Sequence, residues 1–188
     1  MPKLILGLTS MPGAGKGTAA KFLKERYGAT LFGFSGILAD ILKRLNIEKT
    51  RPNFQTLSLV LRQGFGEDVL AYAIENDAVN ATSDLVAIEG IRRIEDLVAL
   101  EPLPHFKLIA LDVSPELRFE RMKKRGEKAG EAEMTWEQFQ AQDSAETEIT
   151  IPATMARAWR TIDNSDGVEK LQAELDALMA ELGISPTV

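Results

Sequence analysis

The 188-residue chain has no cysteine and a single histidine. Without cysteine, disulfides and thiolate metal sites are excluded. His105 stands between Pro104 and Phe106 at the start of an expected strand, where it reads as structural. No histidine or pair of carboxylates is arranged in a way that suggests acid–base catalysis. Long apolar runs are also missing. The first, Leu4–Leu8, is far too short to cross a bilayer or to form the core of a signal peptide, so a cytoplasmic protein without membrane association is expected. Basic residues are not in excess: 22 Lys and Arg face 28 Asp and Glu, a net charge of −6. That balance argues against non-specific binding to nucleic acid or anionic membranes, while a local basic cluster is compatible with it. Internal repeats and low-complexity tracts are absent. Hydrophobic residues at 45% and charged residues at 27% describe one soluble domain over residues 1–188, long enough to bury a sizeable core.

What is present is concentrated in Ser10–Thr18, S-M-P-G-A-G-K-G-T, directly after the apolar run. A buried strand there ends in a glycine-rich loop that opens a helix with Lys16 near its start. Gly13, Gly15 and Gly17 let the backbone turn tightly and approach a polyanion closely. Successive N–H groups then point into one concavity, to which the helix N-terminus adds partial positive charge. Lys16 can reach the β- and γ-phosphates of a nucleotide, and Thr18 offers a hydroxyl to phosphate or Mg²⁺, or else bonds to its own helix. The pattern is G-x-x-x-x-G-K-[ST] with two departures: Ser10 replaces the first glycine, and Gly17 separates Lys16 from Thr18.

Strands alternate with helices along the rest of the chain. Apolar runs at 3–9, 29–34, 85–88, 107–113 and, more weakly, 160–163 read as strands, and the intervening segments carry helical periodicity. Ser35 is expected to cap a helix over 36–45. Pro52 is expected to break the chain at 50–53, before a helix carrying Phe54, Leu57, Leu61 and Phe65. A helix over 67–78 is expected to turn Val69, Tyr72, Ala73 and Asn76 to one side, and another to follow Arg93 as far as Leu100. Ser114-Pro115-Glu116 starts a helix that Gly126 ends, and Thr135 with Gln138 forms a capping box. The stretch 126–133 is charged, contains two glycines and reads as mobile. This alternation predicts an α/β fold, a parallel sheet wrapped by helices on both faces, with an active edge at the strand C-termini.

Several residues gather at that edge. Glu89 ends the third strand, where an acid can hold Mg²⁺ or instead pair with Arg92 or Arg93; Asp112, at the next strand end, has a weaker claim to the metal. Arg92 and Arg93 suit the phosphate of an acceptor. Arg62 approaches from the far side, or else lies on the surface. Arg118, Arg121 and Arg125 share one helix face, which is either solvated or grips phosphate; beside a phosphate loop the second role is favoured. Arg121 and Arg125 border the segment 126–133, which suggests a lid over residues 126–150, with Trp136 and Phe139 as its packing. Asn164 and Ser165 follow the last strand, where backbone groups can frame an adenine ring.

The segments P-G-A-G-K-G-T, E-G-I-R-R, D-V-S-P-E-L-R-F-E-R-M-K-K-R-G and I-D-N-S-D-G together resemble the P-loop nucleoside monophosphate kinase superfamily, closest to its adenylate-kinase-like and dephospho-CoA-kinase-like members. The resemblance implies a three-layer P-loop NTPase fold with five parallel strands, an acceptor-binding helical region over residues 35–80 and a helical lid with paired arginines, Arg121 and Arg125. It implies that Gly13, Ala14, Gly15, Lys16, Gly17 and Thr18 bind the phosphates of ATP, with Mg²⁺, and that Arg92 or Arg93 matches the arginine after D-G-x-P. The acceptor motif departs: F-S-G-I-L-A-D puts Ile37 and Asp40 where the family has an acid and an arginine. Ser35, Asp40, Arg62, Arg92 and Arg93 are the expected acceptor residues, and Lys16, Arg92, Arg121 and Arg125 the catalytic ones. The leading expectation is an ATP-dependent phosphotransferase acting on a nucleoside monophosphate. The alternatives are a kinase for a hydroxyl of a dephospho-CoA-like acceptor, with Asp40 as its base, and a nucleotide-binding switch or slow ATPase. A small-molecule acceptor and a monomer or homodimer are expected.

Overall fold

Seven consecutive buried residues, Leu4–Ser10, form the first strand, β1. Their side chains alternate between the two faces of a sheet. Leu4, Leu6 and Leu8 enter one apolar cluster with Leu23 and Leu175, and Ile5 enters a second with Ile74, Ile88 and Leu97. Burial on both faces is why the run is continuous instead of alternating.

The computed structural model describes residues 1–126, 131–145 and 148–187. After β1 come α1 (Lys16–Tyr27), β2 (Thr30–Gly33), α2 (Phe34–Arg44), α3 (Arg51–Phe65), α4 (Val69–Val79) and β3 (Leu85–Glu89). A 3₁₀ turn (Ile94–Leu97) leads to β4 (Phe106–Asp112), α5 (Pro115–Arg125), α6 (Trp136–Asp143), α7 (Ile151–Met155), β5 (Arg160–Asp163) and α8 (Val168–Glu181). The five strands pair in parallel in the order β2-β3-β1-β4-β5. Helices cover both faces, so the fold is the three-layer P-loop kinase fold that the alternation and the loop predict. Among the described residues no helix is long and apolar enough to cross a membrane.

Local signals place most element ends. Gly28 and Gly126 close α1 and α5 at φ 65° and 56°. The Ser114 hydroxyl accepts the Leu117 N–H at 3.3 Å, and Thr135 and Gln138 cap each other's backbone. Four expectations need correction. Helix α2 starts at Phe34 with Gly33 as its N-cap, which puts Ser35 in the first turn. Pro52 opens α3 instead of breaking the chain: it occupies the first turn, where no N–H is needed, and Thr50 caps the helix through the Asn53 N–H. The helix α4 buries Leu70, Ala71, Ile74 and Ala78, while Tyr72 is exposed. The segment after Arg93 is one 3₁₀ turn. Of the segment expected to be mobile, 126–133, residues 127–130 lie outside the described residues.

Candidate active site

The loop between β1 and α1 turns on two glycines in the left-handed region, Gly13 at φ 85° and Gly15 at φ 98°. Both are also required by space. A Cβ on Gly13 would lie 2.9 Å from the Arg118 carbonyl, and one on Gly15 would lie 2.3 Å from the Asn164 side-chain nitrogen. Gly17 meets nothing within 4 Å, so its place is not set by crowding. The Ala14 N–H returns to the Met11 carbonyl at 3.3 Å. The amides of Gly13 and Gly15, and those of Gly17 and Thr18 in the first turn of α1, have no backbone acceptor among the described residues. These four donors, gathered at a helix N-terminus beside Lys16, form an anion cradle.

That cradle is one wall of a cleft of about 2080 Å³, lined by all six residues from Gly13 to Thr18. Helix α2 contributes Ser35, α3 contributes Arg62, and the turn after β3 contributes Arg92 and Arg93. Arg121 and Arg125 enter from α5, and Asn164 from the end of β5. The fold thus brings together nearly every residue singled out in the sequence. Asp40 and Glu89 are not among the lining residues: Asp40 is exposed on α2, which removes it as a base, whereas Glu89 is half-buried directly before cleft-lining Gly90. Asp112 is likewise exposed and outside the cleft lining.

The arginines differ in what holds them. Arg62 is buried and not a surface residue; it binds the Asp96 carboxylate at 2.8 Å and the Glu67 carbonyl. Arg93 does not pair with Asp96, which instead accepts its backbone N–H; its guanidinium pairs with Glu67 at 2.9 Å. Arg92 pairs with the buried Glu148 at 2.5 Å, and its carbonyl accepts the hydroxyls of Thr150 and Thr154. Arg121 donates to the carbonyls of Asn164 and Ser165 at 2.8 and 3.3 Å, and Arg125 pairs with Glu131 at 2.8 Å. Arg118 has left the shared face: only 3% exposed, it forms a fork-to-fork pair with Asp143, both contacts 2.7 Å. Trp136 and Phe139 stack at 5.2 Å and meet Phe119, which packs α6 onto α5 and leaves no platform for a base.

Oxygen donors suited to a hard cation lie beside the loop. The Thr18 hydroxyl faces the cleft with no hydrogen-bond partner among the described residues, and Glu89 ends β3 one residue before cleft-lining Gly90. Among the described residues no cluster of three metal-ligating side chains exists. Mg²⁺, which keeps several waters and takes phosphate oxygens, needs no more than these two residues offer. Burial raises the Glu89 pKa above its ordinary 4.5, and the charge of Lys16 pulls it the other way. With the folded value raised, the native state binds more protons than the unfolded chain as pH climbs past 4.5, and stability falls through that window. Glu89→Gln is therefore expected to be more stable than wild type at pH 7. In urea unfolding across pH, the difference should vanish below about 4.5; a constant difference at all pH values would contradict it.

Several cleft residues escaped the sequence reading. Arg51, Gln55 and Ser58 line the cleft from α3. Their spacing with Arg62, i, i+4, i+7 and i+11, is a polar stripe beside the apolar one of Phe54, Leu57 and Leu61, and it was available as a signal. Asp96, Asp143 and Glu148 carried no local signal at all.

A family model described as "AAA domain" matches residues 9–140. A UPF0200 protein of Methanocaldococcus jannaschii is 31% identical over 183 residues, covering 95% of this chain and 90% of its own. One from Hyperthermus butylicus is 27% identical over 180 residues, covering 96% and 95%. Among solved structures, TT1252 from Thermus thermophilus superposes with a TM-score of 0.63 at 18% identity, covering 97% of this chain and 99% of its own. Shikimate kinase from Bacteroides thetaiotaomicron does so with a TM-score of 0.62 at 14% identity, covering 94% and 98%. These two are likenesses of fold, and they agree with the P-loop kinase-like superfamily that the motifs resemble.

Proposed function

The chain belongs to the AAA-domain family and to the UPF0200 proteins, and from that premise we propose that it is an ATP-dependent phosphotransferase acting on a nucleotide-like acceptor, a nucleoside monophosphate first. The observation that carries this reading is the convergence of an amide cradle, Lys16 and arginines from three separate segments on one cleft. At about 2080 Å³ the cleft exceeds the roughly 300–1,000 Å³ of single-ligand pockets, so donor and acceptor fit together.

The loop amides would hold the β- and γ-phosphates in line with the acceptor, and Lys16 and Arg121 would neutralise charge that spreads over the transferring group. An acceptor phosphate oxygen attacks the γ-phosphorus while the bond to the β-phosphate oxygen breaks, so ADP leaves and no protein base is required. Thr18 and Glu89 would hold Mg²⁺, whose charge would add to the neutralisation of the phosphates. Arg92 would exchange Glu148 for the acceptor's phosphate. A second reading, a kinase of a hydroxyl acceptor, draws support from Glu89, half-buried directly before cleft-lining Gly90, whose raised pKa suits a proton acceptor where Asp40 is exposed.

ADP release, screened over nucleoside monophosphates and dephospho-CoA, separates these readings from a switch or slow ATPase. With the acceptor identified, Arg92→Ala is expected to raise its KM about tenfold to a hundredfold, the loss of a charge-assisted contact, with the KM for ATP little changed. Arg93→Ala should do less, because Glu67 and Glu95 occupy that guanidinium. If neither variant disturbs acceptor use, and no acceptor raises ADP release above background, the kinase reading fails and the switch leads.

A further inference from the structure

The glycines that make the phosphate cradle possible also make it loose. A peptide that leads into a glycine at positive φ rotates more easily, and half a turn would aim its carbonyl, not its N–H, at an anion. We infer that Arg118 and Asn164 are positioning residues that orient the amides of Gly13 and Gly15 by holding the carbonyls of Pro12 and Ala14, and that Asp143 extends this control to α6. The inference deepens the proposed function and rests on its phosphate-binding loop.

No described peptide bond is cis, and in a planar trans peptide the carbonyl and the following N–H point in opposite directions. Arg118 Nη1 donates to the Pro12 carbonyl at 3.1 Å, which turns the Gly13 N–H away from α5. Asn164 Nδ2 donates to the Ala14 carbonyl at 2.8 Å, which turns the Gly15 N–H away from the end of β5. The orientation of the Asn164 amide is not in question, because a carbonyl oxygen can only accept.

Both side chains are themselves held. Arg118 lies 5.2 Å from the Phe139 ring centre and grips Asp143 with both arms of its fork. Asn164 is 5% exposed; its N–H donates to the Asp112 carbonyl at 3.0 Å, and its own carbonyl accepts from Arg121. Each also leaves a buried atom without a partner among the described residues: Arg118 Nε and Asn164 Oδ1. An ion pair or a turn serving stability alone would be expected to satisfy those atoms, since leaving them bare is unfavourable. The arrangement spends its contacts on the loop carbonyls instead.

The test uses inorganic tripolyphosphate, which has no base or ribose, so that only the cradle is read. In ¹⁵N-glycine-labelled protein, the wild-type amides of Gly13 and Gly15 should move downfield on binding. Asn164→Ala should lose the Gly15 shift and bind tripolyphosphate roughly tenfold or more weakly by calorimetry, as expected for one buried hydrogen bond removed. Arg118→Met should lose the Gly13 shift, Arg118→Lys should restore part of it, and Asp143→Asn should weaken Gly13 without touching Gly15. If Asn164→Ala does not fold, the Arg118 pair carries the test through Gly13 alone. Wild-type shifts and affinity in folded variants would overturn the inference while leaving the kinase reading intact. A wild-type protein that binds neither tripolyphosphate nor ATP would overturn both.

Discussion

Lys16→Met is expected to lower phosphoryl transfer by about a hundredfold or more, the loss of one preorganised charge at the reacting centre. The melting temperature should not move, because Lys16 lines the cleft and belongs to neither apolar cluster. The separation of the two readouts is the informative part. A core residue would lose both together, and a surface lysine would lose neither. Turnover near wild type in a folded Lys16→Met protein would end the phosphate-loop mechanism, whatever the acceptor. The same variant should retain most of its tripolyphosphate affinity if the amides bind the ground state and the lysine acts chiefly in the transition state.

The second large effect is on stability. Asp96 is 2% exposed and serves three donors: Arg62 Nη2 at 2.8 Å and the N–H groups of Arg92 and Arg93 at 3.1 and 3.2 Å. It therefore shapes the turn that carries both acceptor-side arginines and neutralises a buried guanidinium on α3. Asp96→Ala should destabilise the protein by about 3–5 kcal/mol, the usual result of leaving one half of a buried ion pair. Against a typical total of about 5–15 kcal/mol, that is a large fraction. Arg62→Leu should be milder, since the carboxylate keeps its two backbone donors. Urea unfolding midpoints at pH 7 decide the matter. A loss below about 1 kcal/mol for Asp96→Ala would mean that water reaches Arg62 and that the pair is a surface contact in effect.

The two experiments probe different kinds of residue, and the sequence revealed only one kind. Lys16 was legible because its role depends on its immediate neighbours, the glycines and the helix start. Asp96 was not legible, because nothing within ten residues of it announces Arg62. Helix α4 shows the same limit on a smaller scale. V-L-A-Y-A-I is apolar almost all the way round, so periodicity alone does not choose a face. Packing against α2 and the 3₁₀ turn chose Leu70 and Ile74, leaving Tyr72 outside.

By itself the sequence determined the five strands, the loop, the caps at Thr135 and Ser114, and the glycine ends of α1 and α5. Each is a backbone requirement met by residues a few positions apart, and such requirements hold wherever the segment is later packed. Only the tertiary structure decided the fate of the arginines. Arg118, Arg121 and Arg125 look equivalent on one helix, yet one is buried against Asp143, one bonds the loop after β5 and one meets Glu131. The parallel sheet brings residues 25 to 150 positions apart to one edge. A charged side chain takes whichever partner that edge places within about 3 Å, because in a buried setting the unpaired charge is the costly alternative.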